Sequence, residues 1–160
     1  MLALLFALVF TSGVNASSAN DCGKNKAGDF DYSYCIYPAT NPTDNRVLYV
    51  LHGMGGNERS WGANFKALKN QFLKYGKSVP WVVGVNFPDE GEPWGLNEEL
   101  RQGYVGHIMP FVEARIPVAN KVRMLLGASM GGFSSMQLFF KNSSIFKKVA
   151  IVCPLLPFPG

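Results

Sequence analysis

The sequence predicts an α/β fold, a mostly parallel sheet with helices packed on both of its faces. Three observations lead there. Short β-rich apolar runs alternate along the chain with segments whose apolar residues recur at helical spacing, and parallel strands need such crossovers, which are right-handed and cover the sheet. Two of the apolar runs break off abruptly in glycine, "VLHGMGG" and "LLGASMGG". A chain of 160 residues at 48% apolar content is long enough for one domain with a real core.

Taken in order, "FDYSYCIYP" (30–38) is aromatic and partly alternating, so it reads as an early strand that pairs with a neighbour, closed by the turn-forming "PATNPTDN". "RVLYVLHGMGG" (46–56) is a buried strand running into a glycine loop. "SWGANFKALKNQFLKYG" (60–76) places Trp61, Phe65, Leu68, Phe72 and Leu73 at helical spacing and stops at Gly76. "VPWVVGVNFP" (79–88) is the next buried strand, with "DEGEPWG" as its loop, and 96–116 reads as a helix in which Pro110 and two glycines mark irregularity. "KVRMLLGASMGG" (121–132), the helix of "MGGFSSMQLFFKN" and the strand "FKKVAIVCP" (146–154) complete the pattern. No internal repeat interrupts it.

The 15 basic and 11 acidic residues give a net charge of +4 without a Lys/Arg-rich run, which argues against nucleic acid as a partner. Leu2 to Phe10 is an uninterrupted apolar run of signal-peptide length, too short to span a bilayer, and small polar residues follow it. We therefore expect a signal peptide over 1–19, cleaved near 16 or 19, a secreted or periplasmic product, and no stable membrane span after cleavage. Cysteine usage fits export: Cys22 and Cys35 are expected to form a disulfide clamping the first loop onto the first clear strand, with Cys153 left over, either as a buried thiol in an apolar strand or with a partner beyond residue 160.

In an open parallel sheet, function gathers where loops leave the carboxyl ends of the strands. "HGMGG", "FPDEGEPWG" and "GASMGG" should all open on that one edge. Residues 127–131 spell G-x-S-x-G, the sharp strand-to-helix turn that exposes a serine hydroxyl at a helix N-terminus, so Ser129 is the candidate nucleophile. Acyl transfer also needs two backbone N–H groups aimed at the developing oxyanion. Met130, the residue after the serine, supplies one, and the glycine loop supplies the other from Met54, with Gly53 beside it. A phosphate-binding reading of that loop fails because no G-K-[ST] follows and "GMGGNE" misses the third glycine of G-x-G-x-x-G. No cofactor or metal is expected.

The pairing of "VLHGMGG" with "LLGASMGGFSS", separated by "VNFPDEGEPWG", resembles the α/β-hydrolase superfamily, and within it the esterase group that includes secreted feruloyl and acetyl-xylan esterases and the esterase D type. The resemblance runs over roughly residues 30–154 in the order of elements. It implies carboxylic-ester substrates, small or polysaccharide-linked, with Ser129 as the acyl-accepting nucleophile. His52, Asp89 and Trp94 would lie on the substrate side.

The pattern breaks after the serine. A hydroxyl is a poor nucleophile until a base takes its proton, and this superfamily supplies an acid and then a histidine downstream. Residues 130–160 contain no Asp, Glu or His. His52 and His107, the two histidines present, lie upstream, the first beside the oxyanion loop and the second within a helix that should cover the sheet. Residues 20–160 are therefore expected to be the N-terminal part of a single hydrolase domain, cut after the nucleophile turn. The strand at 146–154 would then lie at an exposed edge that invites self-association. The competing expectation is a secreted, non-catalytic interaction module on the same scaffold.

Overall fold

The computed structural model describes residues 20–60, 62–86 and 97–154, without the side chains of 63 and 64. The expected signal peptide, Trp61, and the loop carrying Asp89 and Trp94 lie outside the described residues. Six strands, β1 (Asp21–Ala27), β2 (Phe30–Tyr37), β3 (Arg46–Leu51), β4 (Trp81–Asn86), β5 (Val122–Ala128) and β6 (Phe146–Val152), form one sheet in the order β1-β2-β4-β3-β5-β6. From β4 to β6 neighbours run parallel, while β2 pairs antiparallel with both β1 and β4. The carboxyl ends of β3, β4 and β5 accordingly share one edge.

Strand periodicity sorts the core into two layers. Val47, Tyr49 and Leu51 of β3 and Val83 and Val85 of β4 point into the larger cluster. Its cover is α2 (Glu98–Gly103), a π-helical turn (Tyr104–Ile108), α3 (Met109–Glu113) and α4 (Met130–Lys141), through residues such as Leu100, Ile108, Val112 and Leu138. Leu48, Val50 and Val82 point the other way, with Cys35 and Tyr37, onto Phe65 and Leu68 of α1 (Gly62–Lys74). Helices thus cover both faces, as the alternation of elements requires.

Four details differ from expectation. Cys22 lies in a strand rather than a loop: it sits directly opposite Cys35 in the β1–β2 ladder, and the two are disulfide-bonded. The polar segment "DCGKNKA" lacks the apolar alternation of a strand and is held extended by its partner. The helix over 96–116 is broken into three pieces, with the Met109 N–H reaching back five residues to the Tyr104 carbonyl. Pro110 cannot continue a regular i to i−4 ladder, and one wide turn absorbs the mismatch. Leu73 is half exposed, because α1 ends there in a turn where Gly76 (φ 63°) and Lys77 donate to the Leu73 and Phe72 carbonyls. Cys153 is exposed, since the chain leaves the sheet after Val152 with Cys153 at φ 43°.

At the opposite edge of the sheet Glu113 joins three elements. Its carboxylate accepts from the Tyr49 hydroxyl (2.7 Å) and from Nε and a terminal nitrogen of Arg123 (2.7 and 2.8 Å). Burial alone would push this carboxyl up, but the bonds from Arg123 and Tyr49 outweigh it and hold the group below its ordinary value. Asp44, bonded to Arg46 and Ser78, is also held low, by Arg46 first and against its burial. A carboxyl depressed in the folded state adds stability above its unfolded pKa, near 4, and that stability is lost as pH falls through the folded value. Glu113→Gln is expected to cost about 2 kcal/mol at neutral pH and to flatten the acid loss. The Arg123 side chain, 33% exposed, keeps the cost below that of a fully buried pair. Urea melts at neutral and acid pH measure both effects.

Candidate active site

Ser129 stands between β5 and α4 with φ 55° and ψ −123°, a conformation that glycine enters freely and L-residues rarely hold. Backbone bonds on both sides hold it there: its N–H donates to the Val152 carbonyl of β6 (3.0 Å), and its carbonyl accepts from Phe133 (3.1 Å). The side chain makes no capping bond and is exposed. The turn is tight because helix and strands touch through glycine. A Cβ on Gly127 would run into the Gly131 carbonyl and the Ser135 hydroxyl, and a Cβ on Gly131 would run into the carbonyls of Leu51 and His52. Met130 buries its side chain in the core, while its N–H belongs to the first turn of α4, which has no partner within the helix.

The loop after β3 meets this turn. A Cβ on Gly53 would lie 3.5 Å from both the Ser129 Cβ and the Ala128 carbonyl, so residue 53 rests against the serine. The Gly56 N–H donates to the Gly53 carbonyl (3.0 Å), and Gly55 has φ 72°. Positive φ at the third residue but not at Met54 makes this a type II turn, with Met54 second. Met54 is 65% exposed. Farther along, the loop is anchored where Ser33 donates to the Glu58 carboxylate (2.8 Å) and where the Glu58 carbonyl packs on Gly84.

His52, 5% exposed, has both ring nitrogens engaged: Nδ1 lies 2.8 Å from the Gly53 carbonyl oxygen and Nε2 lies 3.1 Å from Asn86 Oδ1. Neither is offered to the Ser129 hydroxyl. His107 is exposed on the π-helical turn, beside a cavity of about 360 Å³ that also takes in Gly28, Phe30 and Glu99. A larger cavity of about 600 Å³ opens against Asn86, Ser33 and Lys24, and Ser129 is absent from its described lining. Among the described residues no group of three or more His, Cys, Asp and Glu side chains is arranged to hold a metal ion.

Ser129, Gly53 and the two loops that carry Met130 and Met54 are thus gathered at one sheet edge. Asn86 is the site residue that the sequence reading missed. Its signal was present: a polar side chain ends the apolar run "WVVGVN", and the parallel register Leu51↔Val85 sets His52 opposite Asn86.

Among solved structures, the chain is similar to a ferulic acid esterase (18% identity, TM-score 0.70, covering 88% of this chain and 62% of that one). It is similar to the ferulic acid esterase AmCE1/Fae1A of the anaerobic fungus Anaeromyces mucronatus (21%, TM-score 0.62, 85% and 58%). It also resembles S-formylglutathione hydrolase FrmB of Staphylococcus aureus (11%, TM-score 0.66, 88% and 60%). At these identities the likeness is one of fold, and the chain spans about three fifths of the length of each. The sheet order and the glycine-packed serine turn fit the fold of these neighbours, and with residues 31–158 matching the family described as "Putative esterase", the chain belongs to that family.

Proposed function

We propose that this chain carries the nucleophile and oxyanion half of a serine carboxylesterase. One observation bears most of the weight. Ser129 holds a backbone conformation that costs on the order of 1–3 kcal/mol, and its hydroxyl is exposed without a capping bond. A serine that merely capped α4 would spend its oxygen on the helix N–H groups. Acylation would join the Ser129 oxygen to the substrate carbonyl carbon as the ester C–O bond breaks and the alcohol leaves with the serine proton, with Met130 and Met54 N–H groups on the oxyanion and Gly53 allowing the close approach. Substrates are carboxylic esters, small or polysaccharide-linked, and feruloyl esters are the first to test because two structural neighbours are ferulic acid esterases. Asp89 and Trp94 are proposed on the substrate side.

The base and its acid are proposed to come from polypeptide that pairs beyond β6, since His52 is committed to Gly53 and Asn86. The Cys22–Cys35 disulfide fits an oxidising compartment, which supports a leader over 1–19 and export. No described helix is long and apolar enough to cross a membrane. Fluorophosphonate labelling read by mass spectrometry tests the nucleophile. The expected result is one adduct, on Ser129, forming slowly in the 160-residue chain because oxyanion donors and binding alone keep roughly 10³–10⁴ over water. A folded chain that takes no label would instead favour a non-catalytic interaction module, the reading supported by the absence of Asp, Glu and His from residues 130–160.

A further inference from the structure

We infer that Asn86 and His52 form a positioning relay that aims the Met54 N–H. This rests on the reading of Ser129 as nucleophile and Met54 as oxyanion donor. A carbonyl can only accept, so the 2.8 Å contact to the Gly53 oxygen requires a proton on His52 Nδ1. The other ring nitrogen then either accepts from the Asn86 amide NH₂, in neutral imidazole, or donates to Asn86 Oδ1 at 3.1 Å, in imidazolium. Asparagine serves both states by turning its amide. It therefore keeps the ring seated against the Gly53 carbonyl, with the Nδ1 proton on that side, whether the ring is charged or not.

The consequence passes through one peptide plane. The Gly53 carbonyl is held by two donors, His52 Nδ1 and the Gly56 N–H. There is no cis peptide bond among the described residues, and in a trans peptide the N–H points opposite to the carbonyl. Fixing the Gly53 oxygen thus fixes the direction of the Met54 N–H. His52 is a positioning residue that acts through the backbone: the Gly53 carbonyl sets its tautomer, and Asn86, one strand farther from Ser129, holds the ring in place from the other side.

The test combines a spectrum with a kinetic cycle. Long-range ¹⁵N NMR of the imidazole should find Nδ1 protonated in the parent chain, and Asn86→Leu should speed exchange of that proton. A ring protonated only on Nε2, or exchange unchanged in Asn86→Leu, would overturn the relay. Phosphonylation, in which an O–P bond forms at Ser129 as the P–F bond breaks and fluoride leaves, supplies the kinetics. Asn86→Leu should slow labelling roughly tenfold, the worth of one well-made hydrogen bond. The same substitution should cause no further slowing in a Met54→Pro background, which lacks the N–H being aimed. Equal slowing in both backgrounds would mean a general structural effect and would sink the proposal. A parent chain that takes no label would refute the esterase reading, and the imidazole spectrum alone would then decide whether the clamp exists. Asn86→Ala replaces Asn86→Leu if the larger side chain prevents folding.

Discussion

Ser129→Gly is expected to abolish fluorophosphonate labelling and at the same time to raise the melting temperature. At φ 55° and ψ −123° the serine holds a conformation that glycine enters at little cost. Relief of on the order of 1–3 kcal/mol of strain is offset by about 0.5–1 kcal/mol for the freer unfolded chain. A net gain of about 1 kcal/mol corresponds to roughly 2–4 °C in a domain of this size. Ser129→Ala separates the two effects: it loses the label equally but keeps the strain, so its melting temperature should stay near the parent's. If Ser129→Gly melted no higher than Ser129→Ala, the strain would not be a property of the molecule in solution.

Gly131→Ala should do the opposite, costing about 3 kcal/mol of stability through a single methyl group. Its backbone asks for no special φ; what it lacks is room, because the added carbon would meet the carbonyls of Leu51 and His52. Backbone cannot move aside as the end of a flexible side chain can, so α4 must shift away from β3. The expected cost lies at the upper end for overpacking in a dense core. Thermal melts and urea titrations measure it. The same shift would lift Ser129 from the Gly53 loop, so labelling should slow even in the fraction that remains folded.

The two substitutions explain why the serine turn was legible in the sequence while its surroundings were only partly so. G-x-S-x-G encodes a local geometry within five residues, and the apolar runs of β3 and β4 announce strands buried on both faces. Neither needs distant partners to be recognised. β1 does: "DCGKNKA" is a strand only because β2 pairs with it and Cys35 bonds to Cys22. The irregularity around Pro110 was legible from the proline and its two glycines, but that it takes the form of one wide turn at Tyr104–Ile108 was not. His52 looked like a loop histidine near a serine, and only the register placing Asn86 across from it discloses that its ring is already engaged.

The sheet order carries one more consequence, about delivery. Strands in a sheet are spaced about 4.8 Å apart. β1 therefore lies roughly 19 Å from β5, four strands away, whereas a strand added beside β6 would lie about 10 Å from it. Side chains reach the second distance with the help of a loop and cannot reach the first. Whatever brings Ser129 a proton acceptor by extending this sheet must arrive on the β6 side, and an approach over the disulfide-held hairpin would leave it a full side chain too far away.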